Sequence, residues 1–507
     1  MSDTGKHAAG KEPLLDMDGV RIDPAWALKV PAPLALRRQV LPFAAVDGKV
    51  YVACTDAGDR SALEAVERAV RLPICPQLAD AASLRRALNR VFGTNAAGTP
   101  AQSAARGRSG DAAASGDADS EGAVAVCDEL MHAAIVRQAS DIHIDPEEKE
   151  MRVRLRVDGV LERYRTFPIS VHNGVVSRFK VQGGMDIAEK RAPQDGHFTH
   201  RFGPTGQAID VRLATLPTKY GERMTVRLLA LQTETLTLER LGMSGTDLEC
   251  FSRAIEKPHG MVLLTGPTGS GKTTTLYAAL RRIIGQRQQN IVTIEDPIEY
   301  EIPGVAQVEV DSADKVSFTK ALRSVLRHDP DIVMIGEIRD RETADVAIKA
   351  ALTGHLVFST LHTNSAASAI TRLADMGVDR YLIAATMRLA VAQRLVRRLC
   401  ARCRKPRELT ESEAIALGSP TAVGAAVYDP AGCMYCADRG FVGRVGLFEM
   451  LPVDEALSRR IADGKDEGEV ICEARRRKVP RLVDDALEKL RDGQATVPEV
   501  LAAVTIW

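Results

Sequence analysis

The spacing of apolar positions changes several times along the chain and divides it into regions. VYVACTD (50–56) reads as a strand and 61–70 as a helix, a small mixed α/β pattern with no recognisable chemistry. The segment 93–122, GTNAAGTPAQSAARGRSGDAAASGDADSEG, lacks any aromatic or large aliphatic residue. It cannot bury enough apolar surface to offset its ordering entropy, so 94–122 reads as a flexible tether behind an N-terminal domain of residues 1–93. From Ala123 a helix leads into SDIHIDP and VRLRVDGVL, where apolar and charged residues alternate as in a half-buried strand. A helix and Gly/Pro-punctuated strands continue to about residue 240. Beyond it, GMVLLTG, IVTIEDP, DIVMIGE and LVFSTLHT are short apolar runs separated by helices, the pattern of a parallel sheet covered on both faces.

Composition narrows the possibilities. The 507 residues carry 67 basic and 67 acidic side chains, so bulk attraction to nucleic acid is not expected, although local patches are possible. The polar N-terminus has no signal-like apolar stretch, and the apolar runs are strand-length. These features predict a cytoplasmic chain without a transmembrane helix. Four of the nine cysteines form two CxxC pairs, which favours metal over disulfides.

The strongest chemical signal is GPTGSGKTT, comprising Gly266, Pro267, Thr268, Gly269, Ser270, Gly271, Lys272, Thr273 and Thr274, between a strand and a helix. It is a P-loop: glycines let the backbone fold around phosphate oxygens, Lys272 reaches the terminal phosphates, and the Thr273 hydroxyl suits magnesium. The next strand ends in Glu295, Asp296 and Glu299, and either Glu295 or Glu299 is placed to polarise water unless these carboxylates only cap a helix. Gly336 stands where an ordinary Walker B motif has Asp, leaving Glu337 as the candidate for holding magnesium. Of two histidines bracketing LVFSTLHT, His362 lies at the phosphate end, whereas His355 has an equally good reading as a loop histidine.

Cys400, Cys403, Cys433 and Cys436 have the spacing of a tetrahedral thiolate site, for which zinc is preferred over an iron–sulfur cluster or redox pairs. Its neighbourhood, QRLVRRLCARCRKPR, is basic but without interleaved aromatics, so it suits a protein partner or anionic lipid better than nucleic acid.

GPTGSGKTTT, TIEDPIEY, DPDIVMIGEIRD and TGHLVFSTLHTN, in this order, resemble the Walker A, Asp box, atypical Walker B and His box of the ATPases that power type II secretion and type IV pili. The resemblance extends through ASDIHIDP, RVDGVL, DIAEKRAPQDG and LPTKYGERMTVRLL, covering essentially all of the chain from Ala123. It implies an α/β fold: a PAS-like α+β domain (123–240), a RecA-like P-loop ATPase core (241–397), a zinc-binding insertion (398–440) and a C-terminal helical region (441–507), after the small N-terminal α/β domain. It implies ATP and Mg²⁺ as ligands and Zn²⁺ in the cysteine module, with Glu299 as catalytic glutamate, Glu337 as Walker B acid, and Arg212 and Arg227 as arginine fingers. It also makes Gly336 the family's normal residue. The expected assembly is a homo-hexamer at the inner membrane, docked through its N-terminal domain on the cytoplasmic part of a membrane partner. Secretion is favoured over pilus extension, and a nucleic-acid translocase is a further alternative.

Overall fold

The computed structural model describes residues 14–92, 117–202, 207–229, 237–310 and 317–504. Most of the expected tether lies outside them, but its end does not: a helix spans Asp117–Arg137, starting six residues before Ala123. Composition alone read this start of the helix as tether.

The chain divides into two compact units, residues 1–231 with 431–442, and residues 232–430 with 443–507. In the first, β1 (Val40–Val46), β2 (Lys49–Cys54) and β3 (Ile74–Leu78) form a small mixed sheet, β1 antiparallel and β3 parallel to β2. The helix Arg60–Val70 covers it, started by Asp59, whose side chain accepts from the Ala62 N–H. A second sheet contains β4 (Ala139–Pro146), β5 (Glu150–Val157), β6 (Val160–Pro168), β7 (Gln194–Phe202), β8 (Gln207–Thr218) and β9 (Gly221–Leu229). Its order is β6-β5-β4-β9-β8-β7 and every pairing is antiparallel. The alternation seen in RVRLRV becomes the two faces of β5, with Met151, Val153, Leu155 and Val157 buried with Val175, Val176 and Phe179 of the helix Ile169–Gln182 in one apolar core.

The second unit is built on seven strands: β10 (Gly260–Thr265), β11 (Ile291–Glu295), β12 (Ala306–Glu309), β13 (Ile332–Ile335), β14 (Leu356–Leu361), β15 (Met387–Leu399) and, after a two-stranded hairpin of β16 (Lys405–Glu408) and β17 (Ala426–Asp429), β18 (Phe441–Pro452). The order is β12-β11-β13-β14-β10-β15-β18, and the first six strands run parallel. Strands β10, β11, β13 and β14 are buried at every residue, as continuous apolar runs in a doubly covered sheet should be. Apolar clusters on both faces, one around Leu322 and Ile348 and one around Phe251 and Leu280, supply the cover. All four phosphate-side motifs are thereby delivered to the carboxyl ends of neighbouring parallel strands, where α/β sheets place ligands. Among the described residues no helix is long and apolar enough to cross a membrane.

Candidate functional site

The P-loop joins β10 to the helix Lys272–Gln286, and its shape depends on glycine. Gly266 has φ +150° and Gly271 φ +88°, and β15 runs close behind both. A Cβ on Gly266 would stand 2.4 Å from the Gln393 carbonyl oxygen, and one on Gly271 would stand 2.9 Å from Gln393 Nε2. Lys272 Nζ donates to the carbonyls of Gly266 (2.7 Å) and Pro267 (3.1 Å), so the ammonium already bridges the loop. Burial pushes its pKa down to about 8, opposed by the Glu337 charge and assisted by Arg394. Ser270 Oγ is buried without a hydrogen-bond partner. An orphaned hydroxyl, a desolvated ammonium and a backbone cradle opening from a helix start fit a nucleotide polyphosphate. Thr273 follows Lys272 in the first turn of the helix Lys272–Gln286, and Glu337 lies just beyond the carboxyl end of β13, both with oxygens of the kind magnesium takes.

The carboxylates at the end of β11 separate into two roles. Glu295 is buried, accepting hydrogen bonds from the Tyr277 hydroxyl, Thr293 Oγ1 (2.6 Å) and Gln307 Nε2 (3.1 Å). Its oxygens are committed to a buried network, which removes it as the residue that polarises water. Glu299 is exposed on the following loop. That loop is tied to the same network, because Gln307 Nε2 also donates to the Tyr300 carbonyl (3.1 Å) and the Tyr277 and Tyr300 rings meet edge to face at 4.5 Å.

After β13, Gly336 passes the backbone of β11, where a Cβ would stand 3.3 Å from the Ile294 carbonyl oxygen, so the position favours glycine over Asp. Glu337 then projects to His362, whose Nε2 lies 3.2 Å from Glu337 Oε2. Arg339 donates to Glu337 and also pairs with Asp296 (3.3 Å), joining two of the acidic loops. His355 is at the opposite end of β14, with Nδ1 2.9 Å from the Ala350 carbonyl, a satisfied loop histidine. Asp340 caps the next helix through the Thr343 N–H.

Arg212 and Arg227 belong to the antiparallel sheet of the first unit, where they face each other across β8 and β9. Arg227 Nε donates to Asp141 Oδ1 at 2.8 Å while its side chain stays 62% exposed. Burial alone would raise the Asp141 pKa, but hydrogen bonds from Arg227 and Ser140 outweigh it and hold the carboxyl below its usual range.

The cysteines are reduced, and Cys400, Cys403, Cys433 and Cys436 place their sulfurs within 4.8 Å of one another. Cys433 and Cys436 Sγ are 3.8 Å apart, matching the ~3.8 Å edge of a tetrahedron with Zn–S bonds of ~2.3 Å. Backbone N–H groups of Cys433 (3.2 Å) and Gly440 (3.1 Å) donate to Cys436 Sγ, as they would to a thiolate ligand.

Sequence reasoning overlooked Gln393 and Arg394. It read QRLVRRL as part of the basic surface of the cysteine module, whereas this stretch is the second half of β15, continuing the strand directly past residues 387 to 392, which pair with β10. The signal was present: a Gln-Arg pair interrupting the apolar run LAVAQRLV marks a buried polar site inside a strand.

Comparison with known proteins agrees with this arrangement. The family described as "Type II/IV secretion system protein" matches residues 117–502, and the MshEN domain matches 11–98. The type II secretion system protein E of Aeromonas hydrophila is 47% identical over 373 residues, 73% of this chain and 74% of its own length. The type IV pilus assembly ATPase PilB of Myxococcus xanthus is 38% identical over 507 residues, 96% and 88% of the two chains. Among solved structures, the pilus retraction motor PilT with bound ADP superposes with TM-score 0.52 at 25% identity, covering 74% of this chain and 95% of that one.

Proposed function

Since the chain belongs to the type II/IV secretion system protein family, we propose that it hydrolyses ATP to drive pseudopilus assembly and protein export by a type II secretion system. The observation that carries the reading is the convergence of the P-loop, Glu337 and His362 at the carboxyl ends of β10, β13 and β14. The lean to secretion comes from identity: 47% to a secretion-system protein against 38% to a pilus assembly ATPase. In this reading Glu299 orients the attacking water, Glu337 and Thr273 hold Mg²⁺, and His362 reports the state of Glu337. The chain works as a cytoplasmic homo-hexamer, peripheral to the inner membrane, with its N-terminal domain on the cytoplasmic part of a membrane partner.

Arg212 and Arg227 supply cationic forks to the phosphates during turnover. A guanidinium fork in that role contributes on the order of 10³–10⁵ in rate. Arg212→Ala is expected to depress kcat at least ~100-fold with little change in nucleotide affinity. Near-normal phosphate release by that variant would remove Arg212 from the site.

Deleting the gene and scoring secreted enzymes and surface pili separately tests the cellular role. Loss of secretion with pili intact is expected. Loss of pili with intact secretion would instead establish the pilus extension reading that the M. xanthus relative suggests. Stimulation of hydrolysis by DNA or RNA would overturn both.

A further inference from the structure

Arg394 lies on β15 directly behind the P-loop and is only 3% exposed. Its Nη1 donates to the Gln393 carbonyl (3.0 Å) and its Nη2 to the Asn364 carbonyl (2.9 Å), two residues past His362. Its Nε is buried without a hydrogen-bond partner. None of the ion pairs among the described residues includes it. Burial pushes its pKa down, with the Glu449 charge opposing this.

A fixed positive charge in such a position is costly unless an anion answers it. The surroundings indicate which anion. Arg394 lines a cleft of about 250 Å³ together with the P-loop residues Pro267, Thr268, Gly269 and Ser270 and with Glu499. Its Nη1 lies 3.1 Å from where a Cβ on Gly266 would stand, so the missing side chain at Gly266 is what lets the guanidinium approach the loop. Glu499 does not neutralise it, because that carboxylate accepts from Arg397 Nη2 at 2.7 Å and from the Arg397 N–H at 3.1 Å. The cleft thus combines a guanidinium with an unpartnered Nε–H and, among the described residues, no ion-pair carboxylate in contact, the orphaned Ser270 hydroxyl and the P-loop backbone.

We propose that Arg394 is a further nucleotide-binding residue, a second fixed cation beside Lys272 whose free Nε–H is held for a phosphate oxygen of ATP or ADP. By gripping the Asn364 carbonyl with the same guanidinium, it also ties the loop that carries His362 to the occupancy of the P-loop. The inference rests on the P-loop being the nucleotide site.

The test is calorimetric titration of the full-length chain with MgADP, with KM for ATP measured alongside. Arg394→Gln is expected to weaken ADP binding about 10- to 100-fold and to raise KM in parallel, the scale of a lost charge-assisted hydrogen bond. Arg394→Lys, which keeps the charge, is expected to recover most of that loss. Binding by a folded Arg394→Gln variant within two-fold of wild type would overturn the proposal. Should that variant fail to fold, Arg394→Met, which keeps the apolar stem of the side chain without the charge, takes its place, and the rise in melting temperature produced by the same ADP concentration is compared between it and wild type. A smaller rise supports the proposal and an equal rise refutes it. Lys272→Ala is run in parallel: if it too leaves ADP binding intact, it is the P-loop reading that has failed.

Discussion

Glu299→Gln should reduce kcat by about 10²–10⁴-fold, the usual contribution of a positioned general base, while MgATP still binds with affinity within a few-fold of wild type. The expectation comes from how the structure sorts three carboxylates. Glu295 is enclosed by Tyr277, Thr293 and Gln307, and Glu337 is engaged by Arg339 and His362. Glu299 stands exposed on a loop whose backbone is held through Tyr300. An exposed carboxylate on an anchored loop keeps its lone pairs for water and its position for catalysis. Glu295→Gln should act differently, lowering thermal stability by disturbing a buried network and affecting turnover only through displacement of that loop. Single-turnover phosphate release together with MgATP titration separates the cases. More than about a tenth of wild-type kcat in Glu299→Gln would sink the assignment, since no general base acts so weakly.

That contrast also shows what the chain's residue order can and cannot reveal. The P-loop, the strand ends and the four cysteines were legible because each is a local pattern with its own chemistry. Residue order alone left Glu295 and Glu299 both open, and only the family resemblance chose Glu299, because the burial of Glu295 depends on strand packing that a local pattern does not express. Glu295 shares the face of Thr293 two residues earlier, and the two are joined by a hydrogen bond within a strand that is buried at every residue. Arg394 was missed for a related reason. Arginines beside a cysteine module are ordinarily surface groups, and only the pairing of β15 with β10, strands more than a hundred residues apart in sequence, converts one of them into a buried cation. Long-range strand order is what a single sequence expresses least. Gly336 illustrates the opposite case: its departure from the ordinary Walker B pattern is explained once β11 is seen to pass within contact of its missing side chain.

The second large effect is expected at the cysteine module. Cys436→Ser should remove one equivalent of zinc and lower the melting temperature by roughly 10 °C or more, on the scale of ~2–4 °C per kcal/mol for a domain of this size. Cys436 is fully buried, so the loss is not repaired by solvent. Its sulfur accepts two backbone N–H groups, which the smaller hydroxyl oxygen cannot reach with the same geometry. Breaking one thiolate of a four-ligand site removes most of the metal's contribution to folding, because binding free energy at a structural zinc is folding free energy. A strong chelator applied to the wild type should reproduce the melting shift, and re-addition of zinc should reverse it. Cys472→Ser, at the exposed cysteine on the helix Glu467–Arg476, should leave metal content and melting unchanged. Iron with inorganic sulfide in the purified protein, or a melting temperature indifferent to Cys436→Ser, would overturn the zinc assignment. The four-sulfur cluster is closed to a substrate ligand, so the chelated protein should lose stability first, and lose ATP hydrolysis only as far as it unfolds.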